Sequence, residues 1–242
     1  MTENTNSKFP SEADVVIVGV GGIVGSMIAY WLSELGQKNI VGLEKSSVIP
    51  SDIASTAHAS DFVYNTTHDK LGCWTTAYSR KFYEDNGFFL KKGGLEICRK
   101  GDDARWEELK RKVGSGKAFG TNVRLISASE AKEKFPLLDE ESLMGAMWDP
   151  DAGLVIPRSQ DVVSFAVESA KDKGALKTFT DTPAIDFEVE NGRVTGVKTD
   201  KGFIKTDKVV ICSGIWGPLM GKKAGVPVPL MPLEHPLLFF GP

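Results

Sequence analysis

The sequence predicts an α/β fold in which a parallel sheet carries a glycine-rich turn and is interrupted by an insert of mixed elements. Three observations predict it. Asp14-Val-Val-Ile-Val-Gly19 is a short, almost wholly apolar run rich in β-branched residues, as a strand buried on both faces requires. It runs through Val20-Gly21-Gly22-Ile23-Val24-Gly25 into Ser26–Leu35, which lacks helix breakers and stops at Gly36. A second apolar run, Ile40-Val-Gly-Leu-Glu44, ends in a carboxylate 19 positions after Gly25.

Strand, glycine turn, helix, strand and terminal acid in this order make a dinucleotide-binding unit. Glycines let the backbone approach a pyrophosphate without a Cβ in the way, and the last one lets helix and strand pack closely. The helix N-terminus offers unpaired N–H groups and partial positive charge to the phosphates. Glu44 accepts hydrogen bonds from an adenosine ribose, which disfavours a 2′-phosphate and hence NADP. The spacing carries one irregularity. From Gly19 the pattern is Gly-x-Gly-Gly-x-x-Gly, and counting back from Gly25 puts Val20 where the first glycine belongs. Either the turn is adjusted by one residue, or Gly19 and Gly21 share the first glycine's task. On this fingerprint alone, NAD and FAD both remain open.

The chain continues with a loop of small polar residues, Lys45–Ser60. Asp69–Asn86 reads as a helix with a core-facing stripe of Leu71, Trp74, Tyr78 and Phe82. Phe88–Leu90 and Leu95–Cys98 read as two strands joined through the glycine turn at Gly93-Gly94. Asp102 or Asp103 caps a helix carrying Trp106, Leu109 and Val113 that stops near Gly114 and Gly116. Val123–Ile126 is extended, and Ser127-Ala-Ser-Glu130 is a capping box whose short helix ends at Pro136. Leu143–Trp148 is a strand closed by the turn Asp149–Gly153. Ser159–Lys173 has helical spacing and stops at Gly174. Ala184–Glu190, Arg193–Thr199 and Phe203–Thr206 form a meander, joined by Asn191-Gly192 and Asp200-Lys-Gly202. Lys208–Gly214 is a further buried strand ending in glycine, and the stretch from Val226 is proline-rich.

The remaining composition narrows the partners. At 242 residues, with 41% hydrophobic and 25% charged residues, the chain has an ordinary globular composition. A net charge of −3 gives no bias toward nucleic acid or anionic membrane. Cys73, Cys98 and Cys212 show neither zinc-ligand spacing nor a disulfide framework, so no metal is expected and a reducing, cytoplasmic location is. No apolar run approaches the ~20 residues that span a bilayer. His68 reads as a surface loop residue, and Cys212 as a packed small apolar one.

Taken together, several segments resemble the FAD-dependent amine oxidoreductases of the D-amino-acid oxidase superfamily. They are Val15–Gly25, Ser55-Thr-Ala-His58, Gly93-Gly-Leu-Glu96, Asn191–Val197, Val209–Gly217 and Pro232-Leu-Glu-His235. The likeness runs from about Ala13 to the end and is greatest to the branch of dimethylglycine oxidase, dimethylglycine dehydrogenase and sarcosine dehydrogenase. It implies a Rossmann-like FAD-binding domain with an inserted, mixed α+β portion of a substrate domain. Residues 1–12 would be a disordered tail, 13–87 and 156–225 the two parts of the FAD-binding domain, 88–155 the insert, and 226–242 the start of a further substrate-domain segment.

The resemblance also implies roles. His58, which on its own residues reads as a loop histidine, would hold FAD covalently. Gly19, Gly21, Gly22, Ile23, Val24 and Gly25 would lie on the phosphate turn, and Glu44 with Lys45 at the ribose. Ser55, Thr56 and Phe62 would line the flavin, Ala184 would abut the adenine side, and Ala57 and Gly214 would also belong to the cofactor site. His235 would be the active-site histidine that positions or deprotonates the amine. The activity implied is oxidation of the N-methyl C–N bond of dimethylglycine or sarcosine. Hydride would pass to flavin, and water or folate would take the iminium; oxygen or an electron-transfer flavoprotein would be the final acceptor. The alternatives are another superfamily oxidase acting on amino or hydroxy acids, or a non-catalytic FAD-binding fragment. Family members continue beyond the position of His235 with more of the substrate sheet and a final FAD-binding segment, so an N-terminal fragment is expected.

Overall fold

The computed structural model describes residues 9–233, which divide into two compact units. Asp61–Arg158 forms one unit, and the described residues on either side of it form the other. In chain order the first unit supplies β1 (Val15–Val18), α1 (Ile23–Glu34) and β2 (Ile40–Leu43). The second supplies β3 (Phe62–Val63), α2 (Lys70–Asp85), β4 (Phe89–Lys91), β5 (Gly94–Arg99) and α3 (Asp103–Ala118), then β6 (Arg124–Ile126), α4 (Ala128–Lys134), β7 (Leu143–Asp149) and β8 (Gly153–Val155). The first unit resumes with α5 (Ser159–Asp172), β9 (Leu176–Phe179), β10 (Ala184–Glu190), β11 (Arg193–Thr199), β12 (Gly202–Lys205), β13 (Val209–Ile211) and α6 (Gly217–Lys223).

The first unit is built on a parallel sheet in the order β13-β1-β2-β9. Alternation along β1 sorts its side chains between two cores. Val15 and Ile17 join Ile40, Ala29 of α1 and Val163, Val167 and Ala170 of α5. Val16 and Val18 join Val41, Leu43 and the meander residues Phe187, Val197 and Ile204. Every residue of β1 and β2 is buried, as a sheet covered on both faces demands. The meander β10-β11-β12 is antiparallel as expected, turning at Asn191 and Gly192 with φ of +50° and +75°.

The second unit holds two antiparallel sheets, β3-β8-β4 and β5-β7-β6. Leu109 and Val113 of α3 pack on Cys98, Val123 and Met147. Buried Glu96 of β5 binds α3 through Arg105, at 2.9 Å, and through Lys112. The capping box opens α4 with both reciprocal hydrogen bonds formed.

Four expectations are corrected here. The unit boundaries fall at Ser60/Asp61 and Arg158/Ser159, not after residues 87 and 155, because β3 pairs with the distant β8 and takes α2 with it. The strands around Gly93 are no hairpin: β4 pairs with β8 and β5 with β7. Helix α3 runs through Gly114 and Gly116, since Gly116 packs against Thr66 and Val123, and the left-handed residue that follows the helix is Gly120 at φ +84°. The stripe on α2 faces outward, with Leu71, Trp74 and Tyr78 exposed by 68, 61 and 52%. Buried Cys73 and half-buried Thr76, Arg80 and Tyr83 mark the packed side instead, while Trp74 and Tyr78 stack on each other at 5.6 Å. Periodicity shows that a helix has an apolar face, not what covers it. The short strands β3, β8 and β9 and the helix α6 had no counterpart in the sequence reading.

Candidate dinucleotide site

The site is built at the C-terminal ends of β1 and β2, where a parallel sheet presents the N-terminus of the helix that follows. Gly19 makes the turn: its φ is +91°, and a Cβ there would lie 2.5 Å from the Cys212 carbonyl oxygen just past the end of β13. Gly25 lets α1 sit on the turn, since its Cβ would overlap the Gly19 carbonyl and stand 2.9 Å from the Val20 Cα. Gly21 is pressed against the acid: its Cβ would meet Glu44 Oε2 at 2.6 Å and Ser51 Cβ at 2.8 Å. Gly22 is the N-cap of α1, and a Cβ there would meet only ordinary contacts, Ala54 Cβ and Thr56 Oγ1 at 3.7 Å. The irregular spacing thus resolves into a division of labour: Gly19 turns the chain, Gly21 packs its backbone against Glu44 and Ser51, and Gly22 keeps its backbone open.

Glu44 is buried, 6% exposed, and braces this turn. Its Oε2 accepts the Gly21 N–H at 2.9 Å, while Oε1 accepts the Ser46 N–H at 2.9 Å and the Ser51 hydroxyl at 3.1 Å. Three donors thus satisfy both oxygens of the buried side chain. The Ser51 N–H also donates to the Gly21 carbonyl, so the loop after β2 is stitched to the turn at two points. At the helix end, Thr56 Oγ1 accepts the Ile23 N–H at 3.0 Å and supplies the cap that Gly22 has no side chain to give. The N–H groups of Gly22 and Val24 have no hydrogen bond among the described residues.

The remaining expected residues distribute unevenly. Ser55, Thr56, Ala57 and His58 form one 3-10 turn, with Thr56 buried and His58 exposed and its imidazole free of any protein partner among the described residues. Lys45 Nζ lies over the Trp216 ring, 4.9 Å from its centroid, two residues beyond Gly214 at φ +51°. Ala184 packs at the edge of the meander core, and nearby the Thr182 N–H donates to the Glu44 carbonyl. Phe62 belongs to the other unit, where its ring meets Tyr64 edge-on at 4.6 Å and fills the space Gly94 leaves. His235 lies outside the described residues. Burial pushes the Cys212 thiol up to about 11, so it is protonated at neutral pH and serves as a packed residue.

Sequence reasoning missed Ser46, Ser51, Gly42, Ser213 and Trp216. Gly42 carried a legible signal, a glycine inside a buried strand, which marks close approach of another group. Ser213 Oγ is buried without a partner among the described residues. The others depend on loop geometry that no spacing rule encodes.

These groups fit FAD. Open backbone at Gly22, free N–H groups at Gly22 and Val24 and a seated acid at the end of β2 are what a dinucleotide needs. Fold and turn therefore define a dinucleotide-binding protein. The chain belongs to the FAD dependent oxidoreductase family, whose model matches residues 14–242. It is similar to human mitochondrial sarcosine dehydrogenase, at 29% identity over 97% of this chain and 26% of that protein. It is also similar to the mouse mitochondrial pyruvate dehydrogenase phosphatase regulatory subunit, at 31% identity over 94% of this chain and 26% of that one. Among solved structures, L-proline dehydrogenase from P. horikoshii superposes with a TM-score of 0.80 and 30% identity, covering 90% of this chain and 57% of that one. The chain thus spans about a quarter of the length of these curated relatives. No helix among the described residues is long and apolar enough to cross a membrane.

Proposed function

We propose that the protein carrying this chain oxidises the N-methyl C–N bond of a small glycine derivative, sarcosine or dimethylglycine, with FAD attached through His58. The observation that carries this is the turn Ser55–His58. Thr56 pins it to the N-terminus of α1, and the His58 imidazole stands exposed, its ring nitrogens unclaimed among the described residues. An imidazole with an unclaimed ring nitrogen so placed could act as a nucleophile toward a flavin bound at this turn. FAD, when bound, supplies the two-electron acceptor.

The chain's own residues bind and orient. The free N–H groups of Gly22 and Val24 would receive the pyrophosphate. Glu44, with one of its two oxygens accepting only a single bond, would take a ribose hydroxyl. Lys45 and Trp216 would border the adenosine. His235 would hold the amine or take its proton before oxidation. Similarity to sarcosine dehydrogenase supports the substrate class. Folate, oxygen and an electron-transfer flavoprotein are the candidate downstream partners. A cytoplasmic location belongs to the same proposal and rests on three free cysteines; the mitochondrial relatives make cell fractionation its direct test.

The test is acid precipitation of the purified full-length protein. Yellow flavin stays with the pellet of the parent and passes to the supernatant of His58→Ala; free flavin in both cases ends the covalent proposal. Flavin bleaching by sarcosine and dimethylglycine, but not by D-amino acids or 2-hydroxy acids, tests the substrate. A second reading is a non-catalytic FAD-binding protein, favoured by the similarity to a phosphatase regulatory subunit. It predicts that flavin binds and that none of these compounds bleaches it.

A further inference from the structure

We propose that Val20 and Gly42 act as a coupled pair that positions the phosphate turn, each carrying the size of side chain expected of the other. Counting back from Gly25, the first glycine of the dinucleotide fingerprint would stand at position 20; here it is Val20, fully buried at 0% exposure. Conversely, the interior of a buried parallel strand usually carries branched residues, and here β2 carries Gly42. The two departures meet in space. A Cβ on Gly42 would stand 2.9 Å from Val20 Cβ, Cγ1 and Cγ2 alike, so the valine fills the hollow the glycine leaves.

The pairing has a consequence for the turn. Gly42 is held in register by Ile17 of β1 and Thr178 of β9, so its backbone cannot retreat. Val20 is packed with Ile17, Ala29 and Val163 and is flanked by Gly19 and Gly21, the two residues that shape the site. The Gly19 and Val20 N–H groups both donate to the Leu43 carbonyl, at 2.8 and 3.2 Å, which ties the turn to the residue after Gly42. Anything that lifts Val20 therefore shifts the Gly21 N–H on Glu44 and the bare backbone beyond it. Moving the left-handed residue back to Gly19 is what allows a β-branched residue at position 20.

The inference rests on FAD occupying this turn, and fluorescence titration of the full-length protein tests it, with His58→Ala as the parent background so that binding is reversible and with expression in riboflavin-starved cells. Gly42→Ala should weaken FAD binding about tenfold, since overpacking a closed site displaces its neighbours. Adding Val20→Ala should restore affinity to within about threefold of the parent, because the pair then fits again. A Gly42 required for any reason other than the Val20 side chain would show no such rescue. A double variant as weak as Gly42→Ala overturns the coupling, and so does a Gly42→Ala protein that binds like the parent. Should Gly42→Ala fail to fold, the double variant decides alone: folded and flavin-binding supports the pair, anything else overturns it. A parent that takes up no FAD ends the reading of the site itself, whereas a binding parent with no rescue ends only this inference.

Discussion

Gly25 in the first unit and Gly93 in the second share a steric reason for being glycine, to which Gly93 adds a φ of +76°, and they differ in how far the sequence reveals the steric one. At each, another group already occupies the volume a Cβ would take. At Gly25 the occupant is the carbonyl of Gly19, a near neighbour in the chain, so strand, turn and helix fix the clash through local geometry. At Gly93 it is the ring of Trp148, brought from far along the chain by the pairing of β5 with β7. The same residue type is thus a readable motif in one unit and a silent packing requirement in the other.

Substitutions sharpen that contrast. The largest effect belongs to Gly25→Ala, where backbone meets backbone and neither side can yield; it should cost more than about 3 kcal/mol and abolish flavin retention. Flavin-to-protein ratio and thermal unfolding check it, and a retained, normally melting holoprotein would break the comparison. Gly93→Ala places a Cβ 2.5 Å from Trp148 Cζ2 at a φ of +76°. Strain and overpacking together predict a loss of about 2–4 kcal/mol, read in denaturant unfolding. Trp148→Ala in the same chain should recover part of it, which separates the ring from the backbone as the cause.

A smaller effect follows at the acid. Glu44→Gln keeps the shape but turns one acceptor oxygen into a donor facing the Gly21 N–H or the Ser46 and Ser51 donors. About 1–3 kcal/mol of stability should go, with weaker flavin binding, in a melt and a titration. The smallest belongs to the outward face of α2. Trp74→Ala should change stability by no more than about 0.5 kcal/mol, as at an exposed site. Were the stripe a core face, the loss would be about 3–5 kcal/mol.

The legibility of each region follows from the range of its interactions. The strand, turn, helix and acid from Val15 to Glu44 were readable because each role is filled by a residue within one supersecondary unit. Helix α5 and the meander were readable for the same reason, their stops and hairpin turns being local. By contrast, β3 and β8 are short strands whose pairing is remote: Phe62 meets Leu154 and Val63 meets Gly153, with most of the second unit lying between them in the chain. The exposed stripe of α2 shows the converse error, an apolar pattern read as burial. At the site, Ser51 and Trp216 take their places through loops, and loop paths are set by tertiary closure rather than by period.

The sequence by itself determined the glycine turn between β1 and α1 and the acid at the end of β2, because most hydrogen-bond and steric demands there are met by neighbours in the chain. Only the tertiary structure decided how the displaced glycine is accommodated. Gly42 lies in β2 and Val20 follows β1, and the fit of one against the other exists only once the two strands are paired in register. Likewise the seat of Glu44, made by Gly21, Ser46 and Ser51, and the Thr56 cap on α1 arise from a loop folding back over the sheet. Local chemistry chose the ligand's cradle, and packing set its shape.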